Sequence, residues 1–471
     1  MKLMSELVQT LKDKQQEFHK TGNTQELVSC IANYQELLNQ APDEVEIIGQ
    51  LGTAHLQAGQ FGAASQYLRR ALAYAPANSF LWSNLGCCFR SMHHIQRARD
   101  CFMKSIMLDE RGEGYSNMAS TYINENCPHE GIEYAERAMQ LLPDSGSPKW
   151  NAALLYLEMQ EWDKGFKLFD AGLVSNERPM RWYNNDRTQD VPFWAGQEGQ
   201  TVALWDEQGI GDRLLAANLL RNVNGKLNVI LDIHPRLEGI YKRSFPWIDS
   251  VYPTAKEDVI TWPKDHKLDS KIPIMSLSRY YWADGNFDRT PYIKPDPELV
   301  KRYREEFKKL GPPPYIGLAW AGGAPKTNTQ YRTLKLSWFK MLIESGGTWI
   351  SMQYHPWAKE KADKFREDNN LPLFHCDAAQ EHDYDHTLAA LAACDLTVSA
   401  CNSVIHTCGA AGLPCWVLVP TKRAWRYPSG DFFPWYGDHI KMYHQATDGD
   451  WNEVLKRVKH DLIQWLPKEA A

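Results

Sequence analysis

The chain of 471 residues has no apolar run approaching the ~20 residues that a membrane-spanning helix needs. Its start, MKLMSELVQTLKDKQQEF, breaks its apolar positions with charges and so lacks the core of a secretory signal. Basic charge is not in excess: 52 Lys and Arg stand against 58 Asp and Glu, a formal net charge of −6. That balance argues against nucleic acid or an anionic membrane as the main partner. The ten cysteines contain no C-x-x-C pair and no secreted-domain framework. Cys394, Cys401, Cys408 and Cys415 recur every seven residues, but they read as a helix end, a turn, a helix and a strand. No shared face is expected to collect them. These absences leave a cytoplasmic protein of two or three globular domains as the expectation. Aromatic residues, by contrast, are plentiful, and 18 tryptophans suggest extensive cores or pockets for flat ligands or sugars.

The first ~175 residues have helical periodicity and an internal repeat. Ile48, Leu51-Gly52, His55, Ala64 and Leu68 recur 34 positions later as Trp82, Leu85-Gly86, Phe89, Ala98 and Phe102. A third copy carries Tyr115, Met118-Ala119, Tyr122, Gly131 and Ala138, and a fourth Ala152-Ala153, Tyr156, Gly165 and Phe169. A degenerate copy precedes them, with Cys30, Tyr34 and Pro42 in register. The pattern resembles the tetratricopeptide repeat, in which small residues let paired helices approach and large ones fill the gap. Such pairs stack into a solenoid whose concave face is usually a binding surface. Gln50, Asn84, Asn117 and Asn151 take one position in successive repeats. A row of carboxamides both donates and accepts, so it can hold an extended peptide backbone without reading its sequence. The competing reading is ordinary repeat consensus.

After a polar and aromatic stretch from Ser175 to Gln200 the period changes. Apolar runs at Thr201–Trp205, Leu227–Ile233, Ile272–Leu277, Tyr315–Trp320, Trp349–Tyr354, Leu371–His375, Asp395–Ser399 and Cys415–Val419 alternate with helical segments. That alternation predicts parallel sheets with crossover helices. The expected plan is multidomain: an all-α solenoid over 1–175, a linker over 176–198, and two Rossmann-like domains over 199–295 and 313–471. A proline-rich, charged connection over 296–312 joins the two, and a last helix packs back across the pair.

The first run enters EQGIGDRLL, a glycine turn before a helix. Phosphate-binding turns have this shape, but the third glycine of a dinucleotide fingerprint is replaced by Leu214 and no Walker lysine follows. Asp212 would repel a diphosphate. Two readings stand: a helix cap, or a carboxylate kept ionised by the helix dipole that accepts a hydroxyl proton. The second domain has the opposite polarity. Its helix begins at Asn402-Ser403, uncharged residues that leave N–H groups free for an anion, with His406 one turn on. The loop after Tyr315–Trp320 adds Gly322, Gly323, Lys326 and Arg332, read either as a diphosphate clamp or, for the two cations, as solvated loop charges. Phosphate on one wall and a carboxylate on the other suit group transfer from a nucleotide-activated donor. Trp320 or Trp425 could stack on base or sugar. His382, Asp383, Asp385 and His386 lie close together, but helix-start capping accounts for the acids and no metal site is expected.

The segments EQGIGD, PYIKPDPE, IGLAWAGG, VSACNSVIHTCGAAGLPCWVLVP and PWYGDHIKMYHQATDGDWNEVLKRV resemble the glycosyltransferase portion of bacterial tetratricopeptide-repeat proteins. That portion is similar to the lipopolysaccharide heptosyltransferases, which have the two-Rossmann GT-B fold. The plan is also similar to that of protein O-GlcNAc transferase. The resemblance implies inverting, metal-independent transfer without a cofactor, with Asp212 as base and donor phosphates around Lys326, Asn402 and Ser403. The acceptor would be a protein or glycan presented by the repeats. Family members usually carry Asp-Thr where this chain has Cys401-Asn402. A repeat scaffold with a degenerate transferase fold is therefore the alternative.

Overall fold

The computed structural model describes residues 2–21, 24–178, 188–254, 260–263, 266–323, 329–430 and 432–467, without the side chains of 2–5 and 19–21. The chain forms two compact units, Met1–Met159 and Gln160–Ala471.

The first unit is a run of helices: α1 (Lys2–Thr21), α2 (Thr24–Gln40), α3 (Val45–Gln57), α4 (Phe61–Tyr74), α5 (Ser79–Ser91), α6 (Ile95–Leu108), α7 (Gly112–Glu125), α8 (Pro128–Leu141) and α9 (Gly146–Glu158). Each packs on the next, which builds a repeat solenoid. The small residues do what the pattern predicts. A β-carbon on Gly52 would lie 2.9 Å from Leu68 Cγ, and one on Gly86 would lie 2.5 Å from a ring carbon of Phe102. The degenerate copy is the α1–α2 pair, where buried Tyr34 donates its hydroxyl to Gln15 Oε1 at 2.8 Å.

The second unit opens with α10 (Trp162–Phe169) and α11 (Ala171–Val174). The expected boundary after residue 175 thus differs from the division observed, which falls inside the fourth repeat. The reason is aromatic: Trp162, Phe166 and Phe169 pack on Trp282, Phe287, Trp425 and Trp435 of this unit. Part of the expected linker is also structured, since Trp194 and Pro192 exchange backbone hydrogen bonds with Lys271.

There follow β1 (Thr201–Trp205), α12 (Ile210–Ala217), β2 (Asn228–Ile233), α13 (Glu238–Ser244), β3 (Ser250–Pro253), β4 (Ser270–Pro273), α14 (Ser278–Tyr281) and α15 (Pro297–Lys308). The remainder is β5 (Tyr315–Ala319), α16 (Lys340–Ile343), β6 (Thr348–Ser351), α17 (Ala358–Asn369), β7 (Leu373–His375), α18 (Tyr384–Ala392), β8 (Leu396–Ala400), α19 (Ser403–Ala411), β9 (Cys415–Val419), β10 (Ile440–His444) and α20 (Asn452–Trp465). Two wholly parallel sheets result, ordered β3-β2-β1-β4 and β10-β9-β8-β5-β6-β7. The second has the 3-2-1-4-5-6 order of doubly wound sheets, and the first has its opening 3-2-1-4. In both, the order reverses beside the first strand, at β1/β4 and β5/β8.

Two expectations need correction, and two further strands, β3 and β10, join the sheets. Ile272–Leu277 is not one strand: β4 ends at Pro273 and Ile274–Leu277 is a 3-10 turn. An apolar run is buried either way, and its period cannot separate the two. The edge strands β3 and β10 carry a weaker apolar signal. Helix α20 lays Val454, Leu455, Val458 and Leu462 into the core of the six-stranded sheet, with Leu318 and Trp320, and is a part of that layer.

Candidate functional site

The turn between β1 and α12 is held by its own side chains. Gln208, not a glycine, takes the left-handed conformation at φ +65, a cost usually tolerated where surroundings over-determine the backbone. They do so here. Arg213 Nε donates to the Gln208 carbonyl at 2.9 Å, and its guanidinium pairs with buried Asp206. Asp206 also accepts the His234 N–H at 2.9 Å. Glu207, 3% exposed, receives Arg178 Nη2 at 2.6 Å, and Arg178 reaches Asp170 at 3.0 Å from full burial. Burial raises the Glu207 carboxyl, with Arg178 opposing. Asp212 accepts the Gly209 N–H at 3.3 Å on Oδ2, so the capping reading holds. Its Oδ1 receives both Nε and Nη2 of Arg426. The aspartate thus caps its helix and at the same time faces a cation.

At the other reversal point, the side chain of Asn402 braces the end of β8. Its Oδ1 accepts the Val404 N–H at 2.9 Å and its Nδ2 donates to the Ala321 carbonyl at 3.1 Å. The expectation that the α19 N–H groups stay free is therefore corrected at Val404. A carboxamide is a good cap because its oxygen accepts a backbone N–H, charge or no charge. Arg332 Nη1 donates to the Cys401 carbonyl at 3.0 Å, and its side chain lies over Gly322, where a β-carbon would meet its Cγ at 2.7 Å. Gly322 gives its N–H to Thr333 Oγ1 at 3.3 Å, and Gly323 lies beside the hydroxyl of Tyr354. Lys326 lies outside the described residues.

The two turns meet. Helix α12 packs along α19 so closely that a β-carbon on Gly211 would lie 3.2 Å from Ser403 Cα and 2.8 Å from His406 Cδ2. Asp212, Arg332, Asn402, Ser403 and His406 are thus gathered in one place, outside the carboxyl ends of β1 and β8, where open α/β sheets bind ligands. His406 does not present a face to a ligand, however. It is 3% exposed, with Nδ1 on Tyr436 Oη at 2.9 Å and Nε2 on Tyr427 Oη at 3.1 Å. Burial pulls its pKa down to about 4, against the pull of Asp212, so the ring is neutral near pH 7. It is a buried strut under the turn.

The stacking expectation is also corrected. Trp320 is 2% and Trp425 8% exposed, the first in the sheet core and the second among Phe166, Phe169 and Trp435. A ring left open beside Gly323 is that of Tyr354, 39% exposed and stacked on His355. Sequence reasoning also missed Arg423 and Arg426. Both come from residues 420–439, a connection between β9 and β10 whose described residues form neither helix nor strand. Its length was the available signal, because long structureless loops in compact units are usually functional. Burial pushes the Cys401 thiol up to about 12 despite Arg332 and Arg423 nearby, so the position is neutral.

The seven-residue cysteines do share a neighbourhood, against expectation. Cys408 on α19 lies within hydrogen-bonding reach of Cys415 at the start of β9 and within electrostatic reach of Cys394. The thiols are buried, and burial pushes those of Cys394 and Cys415 up. Asp383 caps α18 through the Asp385 N–H at 2.9 Å, Asp385 pairs with Arg243, and His386 Nδ1 meets Tyr303 Oη at 2.7 Å. Among the described residues no group of three His, Cys, Asp or Glu is placed to hold a metal, and no helix is long and apolar enough to cross a membrane.

Within the first unit the carboxamide row is real and partly engaged. Asn84 Nδ2 donates to Thr53 Oγ1 at 2.9 Å, Asn117 Nδ2 to Ser83 Oγ at 3.1 Å, and Asn151 Nδ2 to the Ser116 carbonyl at 3.0 Å. Each asparagine braces the first helix of the preceding repeat and is half-buried, as is Gln50. The engaged atom is the amide nitrogen in each case.

Residues 45–78, α3 with α4 and the turns that flank them, match a family model described as tetratricopeptide repeat. The amino-terminal unit carries tetratricopeptide repeats. Protein FlbA of Caulobacter vibrioides is 23% identical over 449 residues, spanning 88% of this chain and 72% of FlbA. That likeness therefore extends beyond the repeats. Among solved structures, MamA is 20% identical with a TM-score of 0.29, over 34% of this chain and 93% of MamA. PilF of Pseudomonas aeruginosa is 16% identical with a TM-score of 0.32, over 36% of this chain and 78% of PilF.

Proposed function

We propose that the second unit is a glycosyltransferase of GT-B type, its lobes at 199–295 and 313–471, which moves a sugar from a nucleotide-sugar donor to a protein or glycan held by the repeats. The observation that supports this reading is the close approach of the turn that carries Asp212 to the turn of Asn402 and Ser403, which Arg332 also touches through the Cys401 carbonyl, at the reversal points of two parallel sheets. Asp212 takes the proton of the acceptor hydroxyl, whose oxygen bonds to the anomeric carbon from the face opposite the leaving group. The bond from that carbon to the donor phosphate breaks, and the nucleoside diphosphate leaves with the electron pair. Arg332, with Lys326, stabilises the departing charge. Attack from the opposite face inverts the anomeric centre. The family resemblance implies that no metal takes part. Tyr354 supplies an exposed ring for the base. The carboxamide row of Gln50, Asn84, Asn117 and Asn151 has acceptor oxygens to offer a peptide. A nucleotide-sugar substrate fits a cytoplasmic protein.

A second reading, a scaffold with a silent transferase fold, draws on Cys401, neutral where relatives of the resembled family carry an acid, and on the Arg426 pair that occupies Asp212. A transfer assay separates the two. Asp212→Asn should abolish turnover while donor-induced thermal stabilisation is retained; unchanged turnover would remove Asp212 from the reaction.

A further inference from the structure

A general base needs a free lone pair facing its proton donor. Most of those of Asp212 are taken. Oδ2 accepts the Gly209 N–H, and two guanidinium nitrogens of Arg426 converge on Oδ1. Both side chains are mostly withdrawn from water, at 19% and 18% exposure, so the pair is not a loosely solvated surface bridge.

The backbone that carries Arg426 is fixed. Its carbonyl accepts Trp435 Nε1 at 2.8 Å, and the preceding Trp425 is wedged among Phe166, Phe169 and Trp435. Only the arginine side chain is left to move. Arg332 holds the Cys401 carbonyl, two residues before Ser403, whose Cα lies against Gly211, and Gly211 immediately precedes the Asp212 that Arg426 engages. An anion bound beside Arg332 would be close enough to compete with Asp212 for the guanidinium of Arg426. The fork of arginine nitrogens suits phosphate oxygens as well as a carboxylate.

We infer that Arg426 is a latch on Asp212, which a diphosphate seated beside Arg332 opens by taking the guanidinium for itself. Without the anion, Arg426 occupies Oδ1 and stands between the carboxylate and an acceptor hydroxyl. With it, Arg426 joins the phosphate clamp and Asp212 is released toward the acceptor hydroxyl. Donor must therefore bind before the acceptor can react. The identity of the diphosphate rests on the transferase reading above, whereas the exchange of partners does not.

The test is calorimetric titration of the full-length protein with inorganic pyrophosphate at low ionic strength. Wild type should bind. Asp212→Asn, which removes the competing charge and keeps the shape, should bind about tenfold tighter, a typical coupling between linked sites. Arg426→Gln should bind about tenfold weaker, and in the Asp212→Asn, Arg426→Gln double variant the tightening should vanish. Arg426→Lys guards against a folding defect, since it keeps the charge and should bind between wild type and Arg426→Gln. Equal affinities of wild type and Asp212→Asn would overturn the latch, as would failure of both to bind at millimolar pyrophosphate. A merely structural pair would destabilise both variants without tightening either. Should the cycle hold while no nucleotide sugar binds, the latch stands and the transferase reading falls.

Discussion

Gly211 lies against His406, with room for a hydrogen and no more: a β-carbon there would sit 2.8 Å from Cδ2 of the ring and 3.2 Å from the Cα of Ser403. The ring is tied at both nitrogens and Ser403 presents backbone, so neither can give way cheaply. Gly211→Ala should cost about 1–3 kcal/mol by overpacking. Helix propensity alone predicts the opposite sign, a gain of about 1 kcal/mol. Urea unfolding decides between them, and a stabilised variant would mean that the two turns are not in contact.

Arg178 and Glu207 form a dry pair, 0% and 3% exposed, with Asp170 and Ser276 on the same guanidinium. Arg178→Met should cost about 3–5 kcal/mol, because it strands a buried carboxylate. Adding Glu207→Gln removes the stranded charge and should recover about half. Chemical denaturation of the single and double variants measures this, and an additive loss would show that the two side chains do not depend on each other.

His406 sets a pH dependence of known sign. Burial holds its pKa at about 4, below the ordinary 6.5, so unfolding takes up a proton between those values. Its contribution to stability is complete above pH 6.5 and is lost as pH falls through 4. At about 1.4 kcal/mol per pH unit the loss reaches about 3 kcal/mol. His355, His375 and His439 are held low by burial too and add to the same slope. The difference between wild type and His406→Gln isolates the one ring: it should shrink between pH 6.5 and 4, and a constant difference would contradict the assignment.

The asparagine row has two separable roles. Asn84→Ala, Asn117→Ala and Asn151→Ala each remove a hydrogen bond to the preceding repeat and should cost about 0.5–1.5 kcal/mol. Ser83→Ala removes the same bond from the other side and spares the carboxamide of Asn117. If the row also holds the acceptor, the asparagine variants should raise the KM for a peptide acceptor and Ser83→Ala should not. Equal effects would assign the row to solenoid stability alone.

The repeats were legible because their small and large residues recur at a fixed interval, and Gly52 with Leu68 or Gly86 with Phe102 needs no tertiary information beyond the helix pair. The central strands were legible as apolar runs, whereas β3 and β10 lie at sheet edges and signal less. At the site, sequence placed Asp212, Asn402 and Ser403 at the right turns because turn chemistry is local. It could not show that Gly211 would touch His406, that Trp320 and Trp425 would be buried, or that Arg426 would cross to Asp212, 214 positions away. Those are products of how two sheets pack, and a run such as residues 420–439 has no period to reveal where its side chains land.

The proposed transfer needs a nucleoside-diphosphate site at the reversal point of the six-stranded sheet. Calorimetric titration with ADP-, UDP-, GDP- and dTDP-sugars, on wild type and on Arg332→Ala, tests it most directly. One donor should bind, and Arg332→Ala should weaken it at least about tenfold, as expected for a charge-assisted hydrogen bond worth roughly 1.5–3 kcal/mol. Silence from all four donors, or a donor that binds the variant as tightly as wild type, would contradict it.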